Sequence, residues 1–265
     1  MQILLADETN TQAAADVRFL IYGGLVFDID LLSELDNGIR RVRRTYGYKP
    51  SDTLKFQTRA RPEHVSHVEA TAAKRDVLAL LAGLGCKFIA YMALHDIIKG
   101  TDSRLEYAVN SVLGRYQKYL EEVDDDGICV VDNLPIDAQW KFLSDKFTAG
   151  LEIHGKPDRV RLNRIKLYAA TCLGASHANS ALDIVLGTFR YCANEPKNRE
   201  AAQDMMSLVS QIIWSKPGPG GRNVLDYGLI QRPKDVRVGN YKDEYADFIT
   251  HVNSLLTDGR VSAPS

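Results

Sequence analysis

Three aspartates stand where carboxylates do chemistry. Asp7 closes the apolar run Ile3-Leu4-Leu5-Ala6 and is followed by Glu8 and Thr9, and Asp132 closes a second run, Ile128-Cys129-Val130-Val131, and is followed by Asn133. Asp183 interrupts Ala181-Leu182-Asp183-Ile184-Val185-Leu186, which at helical spacing is apolar on nearly every side. An ionised carboxylate buried there costs on the order of several kcal/mol unless it is paired or binds a metal. An exposed stripe through Asn179 and Ser180 is the alternative, and the metal reading is preferred. Clustered carboxylates repel one another unless a cation neutralises them. Hard oxygen ligands suit Mg²⁺ or Mn²⁺, and paired ions of this kind activate water and stabilise a leaving oxygen in phosphodiester hydrolysis. On this reading Asp7, Asp132 and Asp183 hold the metal. Glu8 is a fourth ligand or lies just outside, and Lys55 orients a phosphate or the attacking water. Taken alone, Asp7-Glu8-Thr9-Asn10 would equally well begin a solvated loop. The recurrence of the pattern at Asp132 favours a site.

Other groups have plainer readings. Asp28-Ile29-Asp30 follows a strand, as a phosphatase nucleophile does, but no Gly-Thr follows and Asp30 is placed to cap a helix. Arg40, Arg41, Arg43 and Arg44 either grip phosphates or complement a helix C-terminus, and the residues do not choose between these. His64 and His67 lack a third ligand beside them and are read as exposed. Asp124-Asp125-Asp126-Gly127 lacks the spaced ligands of a calcium loop and is read as a turn. The glycines between Lys216 and Arg222 lack the strand before and the Gly-Lys-Ser/Thr ending of a nucleotide loop.

The elements that must position these residues follow from the pattern. Ile3–Ala6 lacks alternation and is too short for a helix core, so it predicts a strand buried on both faces, with its acidic end where α/β sheets collect ligands. A turn over 10–16 leads to a strand over 17–27, and so short a connection predicts an antiparallel hairpin. Further strands are expected at 52–56, 86–94, 128–131 and 160–167. Helices are expected at 31–44, 61–84 with Pro62 in the first turn, 103–122, 136–149, 176–191, 199–214 and 242–256.

The chain has 265 residues, 45% of them hydrophobic and 25% charged, which fits a globular protein with a substantial core. A net charge of −1 leaves no overall field toward nucleic acid, so a basic surface must be local. No apolar run reaches membrane-spanning length and no basic-then-apolar leader opens the chain, so no membrane partner and a cytoplasmic location are expected. Cys86, Cys129, Cys172 and Cys192 show no metal or disulfide spacing and are expected to be reduced and buried.

At the acidic positions the chain resembles the large, mostly uncharacterised prokaryotic family with an N-terminal Asp-Glu-Ser signature and a ribonuclease H-like fold. The signature stands here as Asp7-Glu8-Thr9, followed by the second strand with Gly23-Gly24. The family's Glu-x-Lys element aligns with Thr53-Leu54-Lys55, its mid-chain aspartate with Asp132, and its Gln-x-Ala-Asp helix with Ser180-Ala181-Leu182-Asp183. Thr53 replaces a usual glutamate and Ser180 a usual glutamine, which removes one potential ligand. The likeness covers about residues 1–195. It implies an α/β fold with a ribonuclease H-like mixed sheet flanked by helices over 1–195; residues 196–265 are expected to form a C-terminal helical extension of the same domain. It further implies a metal-dependent nuclease using Mg²⁺ or Mn²⁺ on a nucleic-acid partner, in phage defence or a mobile element. The rival expectation is a non-catalytic nucleic-acid or protein-binding module on the same scaffold.

Overall fold

A computed structural model describes residues 1–9, 17–98, 101–132, 139–152, 158–172, 174–194, 199–218, 221–234, 236–256 and 259–260, with backbone alone at 101–103, 139 and 259–260. In chain order these form β1 (Gln2–Thr9), β2 (Phe19–Asp28), α1 (Leu32–Thr45), α2 (His67–Gly83), β3 (Lys87–Leu94), α3 (Thr101–Glu122), β4 (Gly127–Asp132) and α4 (Gln139–Thr148). There follow β5 (Ile165–Thr171), α5 (His177–Ala193), α6 (Arg199–Ile212), β6 (Lys216–Gly218), β7 (Gly221–Asn223), β8 (Leu229–Gln231), α7 (Gly239–Leu255) and β9 (Gly259–Arg260). The fold class is α/β.

Six strands make one mixed sheet in the order β5-β4-β1-β2-β3-β8, and β6, β7 and β9 make a small second sheet. β1 is interior, antiparallel to β2 and parallel to β4. That position explains its uninterrupted apolar run, because both of its faces are covered. Ile3 and Leu5 pack into a core shared with α1, α2, α5, α6 and α7, while Leu4 and Ala6 pack into a second core built largely on α3. Among the described residues, no helix is long and apolar enough to cross a membrane.

Several local expectations are corrected. Helix α2 begins at His67, because Ser66 accepts from the Glu69 N–H and Glu69 accepts in return from the Ser66 N–H. This reciprocal cap sets the start, and Pro62 lies in the turn before it. Residues 52–56 form no strand, since the Phe56 N–H that a ladder would need is given to Asp183 instead. Asp28, not Asp30, is the capping residue, accepting from the Asp30 N–H ahead of a short 3₁₀ turn. The fifth strand starts at Ile165, while Val160 only bridges Leu151. The segment around 216–223 contributes the paired strands β6 and β7 rather than a plain loop. Cys172 is exposed, unlike the other three cysteines. The expected turn at 10–16, Asn133 and helical positions 136–138 lie outside the described residues.

Candidate functional site

The parallel register of β1 and β4 sets Ala6 beside Val131, so Asp7 and Asp132 come next on neighbouring strands. Strand alternation turns both toward the face covered by α5, because Leu5 and Val130, two residues earlier, pack on that side. Across the β1–β2 ladder Asp7 is opposite Gly23. A Cβ there would lie 2.9 Å from Leu186 Cδ1, 3.1 Å from Phe88 Cε2 and 3.2 Å from the Ile89 carbonyl oxygen. Gly23 thereby lets α5 lie close on the sheet, with Asp183 one turn before Leu186. On the outer side of α5, a Cβ at Gly187 would meet Phe56 ring carbons at 2.4–2.6 Å. The bare backbone at Gly187 admits the 54–56 segment, whose Phe56 N–H donates to Asp183 Oδ2 at 2.6 Å.

These carboxyls sense one another. Burial, then the charge of Asp132, raises the Asp7 carboxyl to about 6; the Glu8 N–H opposes the rise and Asp183 adds to it. The Glu8 N–H donates to Asp7 Oδ1 at 2.7 Å. Glu8 pairs across the ladder with Tyr22, and burial followed by the Asp7 charge raises its carboxyl to about 7. Glu8 Oε2 and the Tyr22 hydroxyl are buried without a hydrogen-bond partner among the described residues. Burial also raises the Asp183 carboxyl, against the pull of the Phe56 N–H, Lys55, Arg190 and Lys74.

Structure therefore brings Asp7, Asp132 and Asp183 toward one face, with Lys55 at its edge, while Glu8, the next residue along β1, points to the opposite face beside Tyr22 and senses Asp7 and Asp132 by charge. It also adds two cations that sequence reasoning passed over. Lys74 is only 4% exposed, 3.3 Å from Thr58 Oγ1 and 5.1 Å from the centre of the Phe56 ring. Its signal was available: it occupies a core position in the stripe Ala70-Ala73-Lys74-Val77 of α2. Arg190 donates to Thr9 Oγ1 at 3.4 Å and lies 6.0 Å from the same ring centre. Its neighbourhood depends on how α5 crosses the sheet, which local sequence does not state.

The carboxylates are not drawn into a finished cage. Among the described residues, no group of three or more His, Cys, Asp and Glu side chains is arranged to hold a metal ion. Asp132 and Asp183 both act on the Asp7 carboxyl through their charge. The donor set itself suits a hard cation: acidic oxygens whose mutual repulsion a divalent charge would relieve.

The remaining candidates are engaged elsewhere. Asp28 takes the Gln2 amide at 3.0 Å and the N-terminal ammonium at 3.6 Å, at the amino end of β1. His64 pairs with Asp52 at 3.1 Å and His67 with Arg61 at 3.0 Å, so the two imidazoles do not converge. Arg43 is buried and donates to the carbonyls of Lys49, Pro50 and Asp52, while Arg40 pairs with Asp36. Asp124 pairs with Arg164 and Asp126 with Lys166, as a structural turn requires.

Fold and site together define an α/β protein with an acidic cluster at the carboxyl ends of adjacent parallel strands, under a helix that adds one more carboxylate. Compared with known proteins, the chain matches no family model and no curated protein.

Proposed function

We propose that this protein is a metal-dependent phosphodiesterase acting on nucleic acid, on a ribonuclease H-like scaffold. The observation that carries the reading is the adjacency of Asp7 and Asp132 on parallel strands, with the Asp7 carboxyl raised by burial and then by the charges of Asp132 and Asp183. Asp7 and Asp132 are the principal ligands and Asp183 the third. Mg²⁺ or Mn²⁺, when bound, supplies water activation and charge neutralisation at the leaving oxygen. The chain's own residues do the rest. The Phe56 N–H fixes the orientation of Asp183, and Lys55, Lys74 and Arg190 set positive charge beside it, where a phosphodiester anion would be held.

A calorimetric Mn²⁺ titration of the parent, Asp7→Asn and Asp132→Asn, paired with hydrolysis of single-stranded DNA and RNA, tests this. The expected result is saturable binding and cleavage in the parent, both lost together in the variants. Cleavage that persists in chelator, or Mn²⁺ binding indifferent to both substitutions, refutes it.

A further inference from the structure

A second concave site lies away from the acidic cluster, beside the C-terminal half of α3, where the Tyr116 hydroxyl reaches the Gln2 carbonyl at the amino end of β1. It is a pocket of about 700 Å³, within the usual range for small-molecule sites. Its charge is unevenly matched. Arg115, Arg232 and Lys234 approach one carboxylate, that of Asp226, at 2.9, 3.4 and 2.5 Å. One carboxylate cannot neutralise three cations, so positive charge remains at this end, while elsewhere in the lining Lys118 and Lys216 stand against Glu121 and Glu122. Burial would raise the Asp226 carboxyl, but Lys234, Arg115 and Arg232 outweigh it and hold it low, as a surrounding surplus of positive charge requires. Asp226 has a φ of +62°, in the left-handed region that few side-chain-bearing residues adopt, and this turn aims its carboxylate at Arg115.

The other wall is aromatic. Trp214 and Tyr227 both line the pocket, their rings 5.4 Å apart at 85°, and Tyr119 holds Trp214 from behind at 5.6 Å and 86°. The edge-to-face chain gives a rigid apolar wall. Lys216 lies 5.6 Å from the Tyr227 ring centre and is already balanced by Glu122 at 2.9 Å. Arg115 and Lys234 line this end and Arg232 adds its charge through Asp226, a surplus that matches a phosphate monoester dianion, whose oxygens accept forked donors. The half-buried Tyr227 ring beside that cationic end matches a ring carried on the same molecule.

We propose that this pocket binds a nucleoside monophosphate group, its phosphate at Arg115 and Lys234 and its base against Tyr227. The group has two possible sources, a free nucleotide and the phosphorylated end of a strand.

The test is calorimetric titration of the full chain, in chelator, with adenosine 5′-monophosphate, adenosine, inorganic phosphate and a short 5′-phosphorylated oligonucleotide. Lys234→Gln and Tyr227→Leu, melted alongside the parent to establish folding, are titrated in the same way. Saturable binding of the nucleotide is expected, at least about tenfold tighter than phosphate or adenosine and weakened at least about tenfold by each substitution. An oligonucleotide that binds as tightly as the nucleotide identifies a strand end as the source; a much weaker one identifies the free nucleotide. Nucleotide binding no tighter than phosphate, or unchanged in both folded variants, overturns the proposal. Lys234 is 58% exposed, so its loss does not threaten the fold.

Discussion

Asp183 is a buried carboxylate pulled in two directions. Burial disfavours its charge, while the Phe56 N–H and three cations favour it, and burial prevails. Asn at this position keeps an acceptor for Phe56 and removes the charge; Ala removes both. Urea melts in chelator should therefore place Asp183→Asn within about 1 kcal/mol of the parent, and Asp183→Ala lower by about 1–3 kcal/mol, because the Phe56 donor is left unpaired. In the proposed function both lose Mn²⁺ affinity, as calorimetry would record. Asp7 and Glu8 make a pH prediction whose sign is definite. Their carboxyls titrate at about 6 and about 7 in the fold, against ordinary values of 3.8 and 4.5. Between those limits the native state holds more protons than the unfolded chain, so stability falls as pH rises. The melting temperature in chelator should drop from pH 4 to pH 7, and Asp7→Asn should flatten that fall. A metal-free protein whose stability rises over this range would contradict the assignment.

Helix α5 is positioned by absences of side chain. Gly187 gives Phe56 its seat, and Gly23 gives Leu186 its depth. Gly187→Ala would put a methyl within 2.6 Å of ring carbons, so the 54–56 segment must move and with it the N–H that orients Asp183. A loss of about 1–3 kcal/mol is expected from overpacking, with a fall in nucleic-acid cleavage larger than the fall in folded fraction. Helix α1 ends differently from what its four arginines suggest. Arg43 satisfies three carbonyls of the following loop, so Arg43→Ala should cost about 1–3 kcal/mol of stability and leave nucleic-acid affinity unchanged. Arg41 and Arg44 are exposed. If they meet phosphates, reversing both to Glu lowers affinity and reduces the salt dependence by about 0.7–0.9 per lost contact on a log–log plot.

At the scale of the molecule, the sheet is completed from both ends of the chain. β8 pairs in parallel with β3, and the Tyr245 hydroxyl of α7 accepts from the Leu94 N–H at 2.9 Å and donates to the Arg232 carbonyl at 2.5 Å. One phenol thus ties α7 to the carboxyl end of β3 and to the residue after β8. Tyr245→Phe leaves a buried N–H and a carbonyl without that partner, and should lower unfolding stability by about 1–3 kcal/mol. Because the same core holds β1, β2, α5, α6 and α7, the loss should appear in a single transition by both circular dichroism and tryptophan fluorescence. Two separated transitions would show that the C-terminal segment unfolds independently.

Apolar runs ending in acid made β1 and β4 legible, and with them Asp7 and Asp132, because burial on both faces of an interior strand leaves a continuous hydrophobic record. Asp183 was legible for the complementary reason, as a charge set within an apolar helix. The Ser66–Glu69 cap and the misplaced Lys74 were also written locally, and a closer reading of helix signals reaches both. Other features exist only after the chain has folded. Whether residues 52–56 pair as a strand depended on a carboxylate 127 residues away that takes their N–H. The surplus of charge around Asp226 comes from Arg115, which lies 111 residues earlier, and from Arg232 and Lys234 beyond a turn. Periodicity records which face of an element is buried, since burial acts on each element separately. It does not record which element lies opposite, because hydrogen bonds and charges between distant segments are chosen by the topology that brings them together.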